Sequence, residues 1–217
     1  MILNFSHQKG GTGKSTLAYH ITQAFIEKGY ITKLIDLDNQ KSCISVNQLR
    51  ESPKDHILSV TNEAELINAI ETAKEDEITI IDSGGFDSTL TRIAITGADI
   101  NITPVADKVM DLLAVINKYS VILKEIEEAT HEKTKTYVLL NKIHLFAENF
   151  QHIKDIMNKQ ERMEVLTTKI RDRGIYDKAL LEGLSVHEAI TLKGHEDASY
   201  ELNKLAEELL SIYKEEN

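Results

Sequence analysis

Lys9-Gly10-Gly11-Thr12-Gly13-Lys14-Ser15-Thr16 follows directly on the apolar run Ile2–Ser6 and opens a helical pattern over Lys14–Lys28. A strand that breaks into a glycine-rich turn and then a helix has the form of a phosphate-binding loop. Glycines let successive backbone N–H groups turn inward around phosphate oxygens, and the positive end of the next helix adds to the attraction. Gly10, Gly11, Thr12 and Gly13 make the cradle, with Thr16 at its helical end. Lys14 is placed to neutralise the outer phosphates and Ser15 to ligate Mg²⁺, so the expected ligands are ATP or ADP with Mg²⁺. The first position departs from the ordinary pattern, because Lys9 stands where glycine is usual. A lysine at the entrance is poorly placed to wrap its own nucleotide but can reach the phosphates of a facing subunit. It predicts a homodimer with buried ATP.

Outward from this loop, short β-rich apolar runs alternate with longer helical patterns, the mark of a parallel sheet wrapped by helices. The strands are expected at Ile2–Ser6, Thr32–Asp36, Ile57–Val60, Ile78–Asp82, Ile100–Val105, Thr136–Asn141 and Val165–Ile170, several of them apolar on both faces. Helices are expected at Lys14–Lys28, Ala64–Lys74, Ser88–Gly97, Lys108–Glu128 and Glu148–Gln160. In the fourth, Leu112, Ile116, Tyr119, Leu123 and Ile126 make one stripe. The chain has 217 residues and 41% hydrophobic content, enough for one compact core. No repeat, low-complexity tract or Pro/Gly/Ser-rich linker divides it. The predicted fold is α/β: one doubly wound domain over residues 1–217, with a mostly parallel central sheet of about seven strands flanked by helices, as in P-loop NTPases.

Two more segments carry acids to the same place. The second strand ends in Asp36-Leu37-Asp38-Asn39-Gln40, where a spacing of two puts both carboxylates on one side of an extended chain. At the C-terminal edge of a parallel sheet they would face the γ-phosphate. Ile78-Thr79-Ile80-Ile81-Asp82 is a buried strand ending in an acid and followed by Ser83-Gly84-Gly85, the Walker B form, with Asp82 holding magnesium through water.

Lys9 through Ser15 match KGGxGK[ST], and with these acids the sequence resembles the ParA/MinD family of deviant Walker ATPases. The resemblance implies that Lys9 is the signature lysine acting in trans, that Asp38 orients the attacking water and that Asp36 supports the Mg²⁺ hydration shell. Lys9, Lys14 and Asp38 then carry the catalysis. The family pattern D-x-D-P-Q is kept at Asp36, Asp38 and Gln40, but Asn39 replaces its proline. Gly97 through Val105, followed by Asp107 and Asp111-Leu112, looks like the family's strand into its dimer-face helix. Val138 through Lys142 is similar to the strand that ends near the adenine, so Asn141 either meets the base or caps a turn. The segments Thr167–Ile170 and Leu184–Ala189 resemble the small, ParF-like plasmid partition members. No N-terminal helix-turn-helix extension is expected before the first strand, and with it no operator binding.

Acidic residues outnumber basic ones 35 to 25, a formal net charge of -10, so attraction to nucleic acid must come from a local patch. The resemblance implies nonspecific binding of double-stranded DNA by the ATP dimer, with Arg171, Arg173 and Lys193 as candidate contacts, and a DNA-bound adaptor of the ParB or ParG class that stimulates an otherwise weak ATPase. A positioning factor for a protein cargo on the nucleoid fits the same residues. A metabolic P-loop enzyme fits less well, since a two-faced ATP dimer leaves little access for a small acceptor. Tyr200–Leu210 forms an apolar stripe backed by an acidic face, which anionic lipid would repel, so no membrane partner is expected. Cys43 is the only cysteine, which excludes a disulfide or an iron–sulfur site within the chain. His7 and His56 read as loop or surface residues. The expected location is cytoplasmic and nucleoid-associated.

Overall fold

The computed structural model describes residues 1–85, 87–157 and 159–216. Seven strands form one sheet: β1 (Ile2–Phe5), β2 (Ile31–Asp36), β3 (Ile57–Ser59), β4 (Glu77–Asp82), β5 (Ile100–Val105), β6 (Thr136–Ile143) and β7 (Met163–Arg171). Their order is β3-β2-β4-β1-β5-β6-β7, and every pairing is parallel. The chain builds outward from β1 on one side, returns with β4, then continues on the other side with β5. This reversal beside β1 creates the crevice in which open α/β sheets bind ligands.

Burial on both faces explains why β1, β4 and β5 carry apolar residues on both sides, since all their residues are buried, with Asn4, Thr79, Asn101 and Thr103 among them. Side chains alternate between two helical layers. Leu3, Leu34, Ile80, Ile102 and Leu139 pack under α1 (Lys14–Glu27), α2 (Ser42–Gln48), α8 (Ile175–Leu181) and α9 (His195–Glu216). Ile2, Ile35, Ile81, Val138 and Leu140 face the opposite layer, made of α3 (Glu63–Glu71), α4 (Thr89–Gly97), α5 (Val109–Ala114), α6 (Ser120–Thr130) and α7 (Gln151–Met157). Pro104 is tolerated within β5 because the β1 ladder has already ended at Phe5 opposite Ile102, with Ser6 N–H donating to the Ile102 carbonyl. The N–H that proline lacks would have pointed to that side.

The predicted helix over Lys108–Glu128 is interrupted: α5 passes through a π-helical turn, Val115–Tyr119, into α6. The wider turn directs buried Tyr119 to a short hydrogen bond with the Ser6 hydroxyl, just past β1. The helix expected over Glu148–Gln160 is shorter, and its predicted end includes Asn158, which lies outside the described residues. Helix α9 buries Ala198, Leu202, Leu205, Ala206 and Leu209 against the core, packing on β7 and α1. Its apolar stripe is thus already covered. No described helix is long and apolar enough to cross a membrane.

Candidate functional site

The loop between β1 and α1 runs along the C-terminal edge of the sheet. Gly11 (φ +78°) and Gly13 (φ +93°) adopt left-handed conformations. At Gly13 a side chain is excluded twice over, since a Cβ would also stand 2.4 Å from Asn141 Nδ2. The amides of Gly10 through Gly13 donate to no acceptor among the described residues, so the loop presents a row of free donors where α1 begins. Buried Lys14 makes no ion pair among the described residues; burial lowers its pKa, while the charges of Asp82 and Asp38 act to raise it. It is a cation held ready for an anion.

Asp82, at the end of β4, is fully buried. Its Oδ2 accepts a weak bond from the Cys43 thiol at 3.4 Å, and its Oδ1 has no partner. Burial raises its pKa to about 7, against the nearby Ser15 hydroxyl, which acts to lower it. An orphaned carboxylate oxygen beside a serine hydroxyl fits a hard divalent cation, which favours oxygen ligands. No group of three or more His, Cys, Asp or Glu among the described residues could hold a metal alone. A cation here therefore needs Ser15, water and phosphate oxygens to complete its shell.

Asp36 and Asp38 differ in what they are free to do. Asp36 is fully buried, and its oxygens accept the amides of Asp38 (3.0 Å), Cys43 (2.9 Å) and Ile44 (3.2 Å). It shapes the loop and anchors the start of α2, while burial pushes its pKa up. Asp38 stands half-buried at the rim of a cleft of about 390 Å³ that Gly10, Gly13, Lys14, Ser15 and Gly85 also line. Its Oδ1 accepts the Gln40 amide at 2.9 Å, and its Oδ2 lies 3.9 Å from where a Gly84 side chain would begin.

Lys9 points away from this cleft. Its exposed side chain makes a short ion pair with Asp111 of α5, 102 residues along the chain. His7, expected in the loop or at the surface, is in the loop but buried. Its Nδ1 accepts the Lys9 amide at 2.8 Å, its Nε2 has no partner, and burial beside Lys14 lowers its pKa to about 4. Asn141 donates from Nδ2 to the Thr12 carbonyl at 2.8 Å, so its amide nitrogen braces the loop while its Oδ1 accepts no bond among the described residues. Thr16 and Asn141 both line a small hollow with Asp172 and Asp177. Asp111 and Lys142 lie in segments that carry the family resemblance, but their bonds to Lys9 and to the Gly11 carbonyl, like the burial of His7, depend on contacts the motif does not contain.

The basic candidates separate. The Arg171 guanidinium donates to the carbonyls of His144 and Ala147, and Arg173 pairs with Asp197 and Glu201. Lys193 is exposed just before α9 and has no ion-pair partner among the described residues. Arg173 is neutralised where a DNA phosphate would need it free.

Comparison with known proteins gives the family and the fold. Residues 4–186 match the CobQ/CobB/MinD/ParA nucleotide-binding domain. The Protein ParA of Rhizobium radiobacter is 25% identical over 198 residues, covering 89% of this chain and 88% of that protein. Among solved structures, a candidate plasmid partition protein from Borrelia burgdorferi B31 bound to AMPPNP superposes with a TM-score of 0.69 at 16% identity, covering 97% of this chain and 98% of that one. The MinD cell division protein of Aquifex aeolicus gives 0.71 at 17% identity, covering 94% and 96%.

Proposed function

The chain belongs to the CobQ/CobB/MinD/ParA nucleotide-binding family, and from that membership we propose that it is a ParA-type ATPase that dimerises around ATP, binds DNA nonspecifically and segregates plasmid or chromosomal DNA with a DNA-bound adaptor. One observation carries the reading: Lys14, Asp38 and the loop glycines line a single cleft, with the orphaned Asp82 oxygen behind them, while Lys9 is directed outside it. The loop amides and Lys14 hold the phosphates of one nucleotide. Ser15, and Asp82 through water, would hold Mg²⁺, which would supply charge neutralisation for the phosphates. Asp38 orients the attacking water from the rim, and Asp36 fixes the turn that presents Asp38. Lys9 exchanges Asp111 for the partner subunit's phosphates when two copies close face to face. The Asn141 oxygen faces the base, and Lys193 contributes to the DNA surface on each subunit. Binding of DNA through such lysines would weaken steeply with salt.

Assembly and chemistry then fail separately. Lys9→Ala is expected to bind nucleotide normally yet stay monomeric with ATP, because the lost charge belongs across the interface. Asp38→Ala is expected to dimerise with ATP while turnover falls by ~10²-fold, the usual scale for a lost positioning or general-base group. Light scattering after size exclusion with ADP and with ATP, run beside a phosphate-release assay, measures both. Normal dimerisation by Lys9→Ala, or parental turnover by Asp38→Ala, would overturn the mechanism.

A further inference from the structure

Strand β6 loses register against β7 twice, between Val138 and Leu140 and again between Leu140 and Ile143. Within that irregular stretch Lys142 has φ +55°, a left-handed conformation that an L side chain other than Asn or Asp rarely adopts. In a regular strand Asn141 and Lys142 would point to opposite faces. Here the left-handed residue turns both toward the loop after β1, as bulges re-aim side chains near ligand sites. Asn141 Nδ2 donates to the Thr12 carbonyl at 2.8 Å, and Lys142 Nζ donates to the Gly11 carbonyl at 3.0 Å. Two consecutive carbonyls are therefore pulled to the same side of the loop.

The consequence follows from peptide geometry. In a trans peptide the C=O and the next residue's N–H point in opposite directions across a rigid plane. Drawing the Gly11 and Thr12 carbonyls toward β6 directs the amides of Thr12 and Gly13 the other way, and neither amide donates to an acceptor among the described residues. We infer that Lys142 is a positioning residue that holds the phosphate loop with its amides turned toward the anion before any nucleotide arrives. This rests on the nucleotide reading of the cleft, which Lys142 itself helps to line. The ammonium does its work on the loop carbonyl, and the benefit appears as affinity, because a loop ordered in advance loses less freedom on binding.

The test uses Lys142→Asn and Lys142→Arg in the full chain, with MgADP as probe. Asparagine is at ease in the left-handed region, so Lys142→Asn keeps the backbone and removes only the ammonium. The expected result is crossed: MgADP affinity falls ~3- to 10-fold, the net scale of one ordinary hydrogen bond, while the nucleotide-free melting temperature equals or exceeds the parent's. Lys142→Arg keeps the parental affinity. A side chain with a merely structural role would lower affinity and melting temperature together, and that outcome overturns the inference. So does parental MgADP affinity in Lys142→Asn, which leaves the nucleotide reading standing. Failure of the parent itself to bind MgADP overturns both.

Discussion

The two edges of the sheet each carry a cavity, and the larger one is at the wrong edge for chemistry. Before β5, β6 and β7 a hollow of about 720 Å³ is lined by Asp99, Lys135, Tyr137, Arg162 and Glu216 among others. Several of its charges are paired: Lys135 with Glu216 and Glu164, and Arg162 with Glu127, while the Tyr137 hydroxyl donates to Glu216. At the C-terminal edge the cleft is about 390 Å³, yet that end of the sheet holds His7 Nε2, Thr12 Oγ1 and Asp82 Oδ1, all buried without partners. Native proteins seldom leave buried polar atoms unpaired, because each costs about 1–3 kcal/mol. Unmet polar capacity, rather than volume, marks the edge built to receive a ligand.

The largest test of this contrast is Lys14→Met. It removes the cation buried in the cleft, and MgADP affinity is expected to fall by ~10²-fold or more, since a charge-assisted bond to phosphate is lost in a partly dry site. The same variant is expected to melt no lower than the parent without nucleotide, because burial already works against the charged form of Lys14. Calorimetric titration and thermal unfolding measure the two effects. Unchanged affinity would remove the cleft from consideration.

Much of this edge was legible from residues alone because its signals are local. Lys9 through Thr16 is contiguous, Asp82 ends an apolar run, and Asp36 and Asp38 share a turn. All seven predicted strands appear, β5 with the predicted ends and the others with ends that shift by at most two residues. The acid roles are less uniform than their spacing implied, since the three amides taken up by Asp36 come from a loop and from α2, which was not anticipated. Helices α2 and α8 are each seven residues long, too short for a helical period to show clearly. The π-helical turn has no sequence code, for the apolar stripe through Tyr119 reads as continuous helix. Lys9 with Asp111 and Asn141 with Thr12 are pairs 102 and 129 residues apart, so only the folded sheet brings them together.

Acid sharpens the comparison by separating the two edges on the pH axis. On α1, behind the phosphate loop, buried His20 accepts the Val186 amide at Nδ1 (3.1 Å) and faces the Tyr176 carbonyl with Nε2 (3.1 Å), a pattern that fits only the neutral ring. Burial lowers its pKa to about 3, and His7 lies near 4. A histidine whose folded pKa is depressed takes up its proton more readily when unfolded, so the stability it contributes is complete above the unfolded value near 6.5 and is lost as pH falls toward the folded one. Between pH 6.5 and 5 His20 alone accounts for a loss of about 2 kcal/mol. At the opposite edge Glu216 has its pKa lowered, with burial opposing and Lys135 and Tyr137 favouring the charged form. Its contribution is complete above the usual glutamate range and disappears only below it. Measured by thermal unfolding over pH 7.5 to 4, the parent is therefore expected to lose stability relative to His20→Gln through the histidine window, whereas Asp82, with its pKa raised to about 7, adds stability in both proteins as pH falls. A parallel profile in the variant would place the acid sensitivity elsewhere.

The smallest expected effect belongs to Lys135→Ala, and its smallness is the point. Lys135 lies 2.5 Å from Glu216, 3.5 Å from Glu164 and 4.6 Å over the Tyr137 ring, the densest set of contacts at the larger cavity. It is also 43% exposed, and Glu216 is 33% exposed, so water screens the pair and its net contribution should stay below about 1 kcal/mol. The ring contact adds a similar, modest amount at such an exposed site. If the cavity is a paired structural edge, Lys135→Ala lowers the melting temperature slightly and leaves MgADP affinity and ATP turnover at parental values. A several-fold change in affinity in a variant that remains folded would mean that the two edges communicate through β6, the strand that begins beside Lys135 and ends at Asn141 and Lys142 on the phosphate loop. In that case the larger cavity would have to be counted as part of the nucleotide machinery, and the division between a satisfied edge and an unsatisfied one would fail.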